Sequence, residues 1–423
     1  MTVNVHPILA ALRKHKAGVF LIGLQVALTL AIVCNLVFIV ATNAERIHRP
    51  TGLDENDLFL VGQSFVNAPA GDNQASLDKL DSMQLTDVAV LRALPDVQSV
   101  SPVSTMPLLG NSNVANVSLK PAQVHGLTKA ALFWVGGQIV PTLGLQLIAG
   151  RNFTRADVRH IDPNSKTEPP LVIVSKALAD KLYPHGDAVG KPIWLNENTA
   201  PSTIVGVVAR LFTSSQEVYT ARAYYTILIP ARIDSASTFY AVRTRPGRTR
   251  EAMNETRKAL FKVDPLRIMQ QTGVYGSIGL HTFADICAKG YALEIALVQI
   301  LTAISLILVA VTGIGMTGLT SFWVSQRHKQ IGIRRALGAT RANIQNYFRI
   351  ENLVIAGGGC VIGAVLAVGI NLMLLKMFET AHRMPLWYVA AGVAAILLLG
   401  QLSVFAPARR ASNVPPVVAT RSV

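Results

Sequence analysis

The chain alternates between long apolar runs and one long stretch in which apolar and polar positions are mixed. The apolar runs occupy residues 17–41, 291–324, 351–378 and 386–406. A membrane-spanning α-helix needs about 20 consecutive apolar residues at about 1.5 Å rise per residue, and every run meets that length. The pattern predicts an integral membrane protein with four transmembrane helices, one before the mixed stretch and three after it.

The mixed stretch, residues 42–290, predicts a large α+β domain between the first and second helices. Short runs rich in β-branched and aromatic residues alternate there with helical stretches. The predicted strands are 58–61, 171–174, 203–208, 224–229 and 238–242, and the predicted helices are 86–94, 176–183 and 249–261.

Two further segments of this stretch carry local expectations. Residues 111–116, which read NSNVAN, are rich in Asn and predict an exposed loop. Stalk segments are expected at both ends of the domain, and residues 275–290 would continue the second membrane helix outward, although glycines disfavour a helix there.

Composition supports a membrane protein with a polar domain. The 423 residues are 51% hydrophobic and 15% charged, which is too apolar for an ordinary globular protein and too polar for a chain that lies wholly in the membrane. The first apolar run exceeds the roughly 7–15 residues of a signal-peptide core, so it predicts an uncleaved anchor. The three cysteines are spaced in a way that indicates no disulfide framework.

The charge distribution orients the predicted helices. Residues 1–16, 325–350 and 407–423 hold 12 of the 39 cations, whereas residues 42–290 hold 25 cations against 21 acids. The positive-inside rule places those three basic segments in the cytoplasm. Residues 42–290 and the short loop 379–385 are then periplasmic. Because membrane topology accounts for the excess, no nucleic-acid partner is expected.

The basic segment between the second and third runs reads QRHKQIGIRRALGATR over residues 326–341. Six cations occur up to Arg349 with no acid among them. Gly338 predicts the end of a helix that begins near Gln326, and Thr340 predicts the cap of the next helix. In that next helix three apolar residues lie at i, i+3 and i+4 and form one stripe: Ile344, Tyr347 and Phe348.

Several motifs are better explained by packing than by chemistry. The G-x-G-x-x-G formed by Gly313, Gly315 and Gly318 lies inside an apolar run with no preceding strand, so it predicts close helix packing. The G-x-x-x-G of Gly359 and Gly363 allows either dimerisation or packing within the chain.

The sequence also offers little evidence for catalytic groups. Residues 186–192 read GDAVGKP, which mimics a phosphate loop but has the wrong spacing. Glu294 lies near the outer end of its span, where it predicts either a solvated edge or a dimer contact. The histidines show no metal-ligand spacing. The sequence therefore predicts no catalytic residue, no metal and no ATP site on this chain.

The phrase IGIRRALGATR at residues 331–341 and the order of one span, a large outer domain and three spans resemble the MacB/FtsX-type permeases of ATP-binding cassette (ABC) transporters. Further similar phrases are GRNFTRADV (150–158), PLVIVSKALADKLYPHGDAVGKPI (170–193) and PARRASNVPPVVATR (407–421). The likeness covers nearly the whole chain.

The resemblance implies a multi-pass protein of the bacterial inner membrane that acts as a mechanotransmitter. A separate cytoplasmic ATPase dimer, which binds ATP and Mg²⁺, would drive a pair of permeases, identical or paralogous. The periplasmic domains would perform work in export or efflux, with an adaptor and an outer-membrane channel as further partners. A regulatory assembly of the same architecture, which controls a cell-envelope enzyme or senses peptides, is the alternative, and the substrate is not evident.

The same resemblance assigns ATPase coupling to the segment 326–337. The residues expected to contact the ATPase are Gln326, Arg327, Lys329, Ile331, Ile333, Arg334, Arg335 and Leu337. The alternative is a basic loop that faces anionic lipid headgroups.

Overall fold

The computed structural model describes residues 16–69, 73–110, 113–162, 169–215, 221–269, 279–377 and 383–413. These residues divide into two compact units. The membrane unit comprises the described residues up to 48 and from 293 onward, and the outer unit comprises those from 49 to 292.

The described residues form ten α-helices and twelve β-strands. In chain order the helices are α1 (Lys16–Ile47), α2 (Gln74–Arg92), α3 (Ile139–Leu143), α4 (Lys176–Leu182), α5 (Thr249–Val263), α6 (Phe283–Gly290), α7 (Ala292–Gln326), α8 (His328–Ala336), α9 (Arg341–Met377) and α10 (Leu386–Ser412). The strands are β1 (Leu58–Ser64), β2 (Val97–Val103), β3 (Asn113–Ser118), β4 (Thr128–Val135), β5 (Leu147–Gly150), β6 (Arg159–Ile161), β7 (Leu171–Ser175), β8 (Pro192–Leu195), β9 (Ser202–Val208), β10 (Thr226–Ile233), β11 (Ser237–Thr244) and β12 (Gly279–Thr282).

The four predicted membrane helices are confirmed as α1, α7, α9 and α10, each long and apolar enough to cross a bilayer. All four extend beyond the apolar runs that predicted them. The largest extension is in α9, which begins at Arg341, ten residues before the predicted start. The Thr340 hydroxyl accepts a hydrogen bond from the Asn343 N–H at 3.2 Å and caps this extension.

Helices α1 and α9 approach each other closely because two glycines of α9 face α1. A Cβ atom added to Gly359 would lie 2.7 Å from the carbonyl oxygen of Gly23, and one added to Gly363 would lie 2.8 Å from that of Ala27. The Asn35 amide of α1 donates to the Ala367 carbonyl of α9 at 3.0 Å. Small residues and an interhelical hydrogen bond are the usual means of helix association in lipid.

Helix α7 joins this bundle through its half nearer to Gln326. The hydroxyls of Thr29 and Thr312 lie 2.7 Å apart, and the Gln25 amide donates to the Val311 carbonyl at 3.2 Å. The side chains of Met316 and Trp323 are buried in the apolar core of the membrane unit. Contacts with α1 therefore hold α7 in place over residues 311–323.

The outer unit contains a closed ring of strands. Its order is β4, β3, β8, β9, β7 and β10, and β10 closes the ring by pairing in parallel with β4. All six strands contribute side chains to one apolar cluster, and α4 adds Leu178, Ala179 and Leu182 to it. The alternation of side chains along each strand places these residues inside the ring.

A second layer continues from the ring through β2, which pairs with β4. The strand order here is β12, β1, β11 and β2, all antiparallel. Helices α2 and α5 supply Leu91 and Leu260 to an apolar cluster with Phe59 and Tyr240 of this sheet. Both helices therefore cover the same face of the sheet.

A buried ion pair lies in this second layer. The guanidinium of Arg267 donates to both carboxylate oxygens of Asp87 on α2, at 3.0 Å each, and both side chains are almost fully buried. The Gln63 amide and the Tyr240 hydroxyl also donate to the same carboxylate. Burial, followed by the Asp87 charge, raises the pKa of Tyr240, so the phenol remains a donor.

Two local expectations were wrong. Residues 113–116 are not a loop but the start of β3, which pairs with β4 and β8. The segment 279–290 is not a helical extension of α7 but strand β12 followed by the separate helix α6. Pairing of β12 with β1 fixes the strand, and the Thr282 hydroxyl with the Asp285 carboxylate caps α6. The remaining parts of both predictions, 111–112 and 275–278, lie outside the described residues.

We expect the substitution Arg267→Met to lower the free energy of unfolding of the outer unit by about 3–5 kcal/mol, because the Asp87 carboxylate stays buried without its bidentate partner. Chemical unfolding of the full chain in detergent, followed by tryptophan fluorescence, measures the change. The control is Arg257→Met on the exposed face of α5, which should change stability by no more than about 0.5 kcal/mol. Equal effects of the two substitutions would contradict the structural role of the buried pair.

Candidate coupling segment

The basic segment forms helix α8 between the ends of α7 and α9. Helix α7 ends at Gln326, and Arg327 occupies the turn before α8. At the other end Gly338 has φ of +94°, in the left-handed region that a residue with a Cβ rarely adopts. Gly338 therefore ends α8, and Thr340 starts α9.

The inner face of α8 packs on three membrane helices through one apolar residue. Ile331 is only 4% exposed and contacts a cluster that includes Val324 at the end of α7 and Phe348 near the start of α9. Helix α10 adds Val404 and Ala408 to the same cluster. An apolar contact shared by several elements fixes α8 against all of them.

An ion pair reinforces this contact. The Arg327 guanidinium donates from Nη1 to both oxygens of the Glu351 carboxylate, at 3.0 Å and 3.1 Å, and both side chains are largely buried. The ion pair joins the end of α7 to α9. Helix α9 is joined in turn to α10, because the Gln345 amide donates to the Ser412 hydroxyl at 3.1 Å and the Gln401 amide donates to the Arg349 carbonyl at 3.2 Å.

The outer face of α8 is different. Ile333 is 47% exposed and Leu337 is 82% exposed, and the i, i+4 spacing places the two on one side of the helix. The Arg334 guanidinium lies 4.9 Å from the centre of the Tyr347 ring, in cation–π geometry. The segment thus presents exposed apolar side chains together with a cation held on an aromatic ring.

The eight residues predicted to contact an ATPase are not equivalent in the structure. Gln326, Ile333, Arg334 and Leu337 are exposed, and Arg335 is half-buried. Ile331 was predicted as an apolar contact with the ATPase, whereas the cluster with α7, α9 and α10 buries it within this chain.

The other two predicted residues differ again. Arg327 is committed to Glu351, and the side chain of Lys329 lies outside the described residues. Glu351 was not among the predicted site residues. Its partner is Arg327, which is 24 positions earlier in the chain. The available signal was that Glu351 is the lone acid beside a run of cations.

The glycines that were predicted to pack between helices have different surroundings. Gly359 and Gly363 contact α1. A Cβ added to Gly315 would lie 2.7 Å from the amide atoms of the Gln25 side chain. Such a Cβ on Gly313 would reach Leu399 of α10 at 3.4 Å, an ordinary contact. Gly318 has no described neighbour within 4 Å of that position.

Glu294, on α7, is buried although it was expected near a solvated edge or a partner. It is 9% exposed, and its Oε2 atom has no hydrogen-bond partner among the described residues. Two further close-packed glycines were not predicted. A Cβ added to Gly18 would lie 2.8 Å from the Trp323 ring, and one added to Gly400 would lie 2.9 Å from the Asn352 amide.

We expect Glu351→Ala to destabilise the membrane unit by about 3 kcal/mol, because it leaves the Arg327 guanidinium largely buried without its carboxylate. Thermal unfolding of the full chain in detergent measures this. The exchanged pair Arg327→Glu with Glu351→Arg should recover part of the loss, since opposite charges again face each other. If the single variant unfolds at the wild-type temperature, the pair does not hold α7 to α9.

Two family models match the chain. The MacB-like periplasmic core domain matches residues 26–259, which is more than half of the chain, and the FtsX-like permease C-terminal domain matches residues 302–416. The second match includes α8 and the cluster around Ile331.

Curated relatives are similar over much of this chain. The probable syringafactin export ATP-binding/permease protein SyfD of Pseudomonas syringae pv. tomato is 24% identical over 380 residues, 86% of this chain and 51% of the relative. The macrolide export ATP-binding/permease protein MacB of Neisseria meningitidis is 27% identical over 296 residues, 68% of this chain and 43% of the relative. The chain spans about half the length of these relatives.

Among solved structures, the periplasmic region of MacB from Actinobacillus actinomycetemcomitans is similar at 14% sequence identity. The alignment covers 58% of this chain and 97% of that chain with a TM-score of 0.33. On the family models, the chain belongs to the MacB/FtsX-type permeases of ABC transporters and is a multi-pass protein of the inner membrane.

Proposed function

We propose that the chain transmits the closure of an ABC ATPase to its outer unit, with α8 as the element that receives the force. The observation that carries the proposal is the division of α8 into two faces. Its inner face is fixed to α7, α9 and α10 through Ile331, and its outer face exposes Ile333 and Leu337. A protein that binds these two side chains would displace the ends of three membrane helices together.

Helix α7 provides the route outward. Its 35 residues correspond to a rod of about 52 Å at the rise of an α-helix. It is continuous from Ala292, the last residue of the outer unit, to Gln326, which precedes α8. Rigid-body movement and helix shifts are among the established kinds of conformational transition, so a displacement of α8 would be transmitted along α7 to its start.

We propose that ATP is bound and hydrolysed by the separate ATPase and not by this chain. Residues 1–423 contain no phosphate loop of the required spacing, and the partial match at 186–192 has Pro192 in place of the hydroxyl residue that would hold Mg²⁺. ATP and Mg²⁺ would therefore bind to the ATPase that docks on α8.

Export through further partners is proposed from the relatives. Both relatives are named as export proteins. We propose that two permeases, identical or paralogous, act with an ATPase dimer, a periplasmic adaptor and an outer-membrane channel. In this arrangement the outer unit performs mechanical work on a substrate or partner in the periplasm.

The orientation follows from the basic segments. Six cations lie between Gln326 and Arg349, whereas the chain between α1 and α7 is nearly balanced in charge. The positive-inside rule then supports cytoplasmic termini, a cytoplasmic α8 and a periplasmic outer unit.

We expect a membrane-impermeant maleimide to label Lys120→Cys in intact cells and to label Asn343→Cys only after the inner membrane is permeabilised. Both positions are exposed. The wild type serves as the control and should label slowly, because Cys34 and Cys360 are buried and burial, followed by Glu55, raises the pKa of the Cys287 thiol to about 12. Labelling of Asn343→Cys in intact cells would refute the orientation.

We expect Leu337→Ala to weaken binding of the co-purifying ATPase about tenfold and to reduce permease-stimulated ATP hydrolysis, because it removes a large exposed apolar contact. Its unfolding temperature should match the wild type, since Leu337 is 82% exposed. The matched control is Ile331→Ala on the other face of α8, which should lower the free energy of unfolding by about 2–4 kcal/mol through a cavity.

The two variants separate the two interpretations of the segment. If Leu337→Ala binds the ATPase as tightly as the wild type and supports the same hydrolysis rate, the outer face of α8 does not dock an ATPase. The basic segment would then serve the anionic headgroups alone.

A further inference from the structure

A pocket of about 510 Å³ opens on the outer unit beside the junction of β3 and β4. Lys129 on β4 lies directly opposite Asn116 on β3, and both residues line the pocket. Their neighbours Ala115 and Ala130 point into the core of the closed ring. Because side chains alternate along a strand, Lys129 and Asn116 point outward, so the pocket lies on the external surface of the ring.

Three cations from three separate elements meet at this pocket. Lys129 comes from β4, Lys181 from the last turn of α4 and Arg222 from the 3₁₀ turn before β10. Its described lining includes no carboxylate. The acid next to Lys181 in sequence, Asp180, is paired with Lys176 at 2.5 Å. Neither Lys129 nor Lys181 forms an ion pair with a described carboxylate, so the pocket keeps a positive field.

The walls of the pocket are held by backbone contacts. The Leu127 N–H donates to the Val117 carbonyl at 2.8 Å, and a Cβ on Gly126 would lie 2.9 Å from the nitrogen and the oxygen of Val117. Glycine therefore lets the loop before β4 lie flat on β3. The Tyr225 carbonyl accepts from the Ala131 N–H at 2.9 Å, which ties the chain after Arg222 to β4.

We propose that this pocket binds a phosphate group, either as a free anion or on the headgroup of a lipid. Lysine donates charge-assisted hydrogen bonds to phosphate oxygens, and Lys129 and Lys181 supply two positive charges that can neutralise a bound phosphate. His125 and Tyr225 add polar atoms to the lining. Leu127, which is 51% exposed at the same pocket, offers an apolar contact for an acyl chain beside the phosphate. This inference is independent of the proposed role of α8.

The experiment measures binding of two probes to the full chain in a neutral detergent at low ionic strength. The probes are inorganic phosphate and dihexanoyl phosphatidylglycerol, titrated by calorimetry. The pocket variant replaces Lys129, Lys181 and Arg222 by Gln. The matched control replaces three exposed cations outside the pocket by Gln and loses the same charge: Lys120, Arg257 and Lys258.

We expect at least one probe to bind saturably to the wild type. The pocket variant should lose at least about tenfold in affinity, since each charge-assisted hydrogen bond to phosphate is strong, and the control should lose less than about threefold. Saturable binding of phosphate alone would identify a free anion as the ligand class, and binding of the lipid alone would identify a headgroup. If the lipid alone binds, Leu127→Ala should weaken lipid binding relative to the wild type.

Two results would overturn the proposal. One is the absence of saturable binding by either probe. The other is an equal loss of affinity in the pocket variant and in the control, which would show that net charge rather than this pocket attracts the anions. Unfolding temperatures of both triple variants should match the wild type, because all six side chains are exposed.

Discussion

The ion pair between Arg327 and Glu351 is the constraint on which the arrangement of α7, α8 and α9 depends. A carboxylate that is 2% exposed on a membrane helix is costly unless a cation neutralises it. Arg327 meets that need with two hydrogen bonds from one nitrogen. Because Arg327 directly follows α7 and directly precedes α8, the pair fixes the corner at which the chain turns from one helix into the next.

The apolar cluster around Ile331 extends the same constraint to α10. With the corner fixed by Arg327, Ile331 lies one turn later on the face of α8 that meets Val324 and Phe348. Ile333 and Leu337 then lie on the opposite face of α8, which is exposed. The exposure of these two residues thus results from how α8 is anchored. A helix anchored on one face and exposed on the other is suited to receive a force and pass it to its anchors.

The sequence predicted the parts of the fold that local physics decides. The spans follow from the length of apolar runs, because the bilayer permits few alternatives. The ends of α8 and α9 follow from Gly338 and Thr340, which act within one turn of the chain. For α2 the sequence predicted only residues 86–94, since the polar first half of this helix carries little apolar periodicity; Asn73 caps its true start. Strand β3 was missed because pairing with β4 and β8 overrides the turn preference of its asparagines.

Contacts between residues that are far apart in the chain could not be predicted from the sequence alone. Arg267 and Asp87 are separated by 180 positions, and nothing local distinguishes them from other charged residues of the domain. The same holds for the parallel pairing of β4 with β10, which closes the ring. For the coupling segment the sequence predicted a helix from near Gln326 to Gly338. It could not show which side of that helix the bundle would bury, and Ile331 was therefore grouped with the residues expected to contact the ATPase.

Closure of the ring bears on how the outer unit could respond to a displacement. Each of its six strands is hydrogen-bonded on both sides, and one apolar cluster fills the interior. A closed and filled ring has no free edge along which strands could slide, and close-packed interiors resist deformation. Force that reaches this unit through the chain at α1 or α7 would move the ring as a body. The cationic pocket is built from strands of the ring and the segments that adjoin them, so its geometry would be preserved during such a movement.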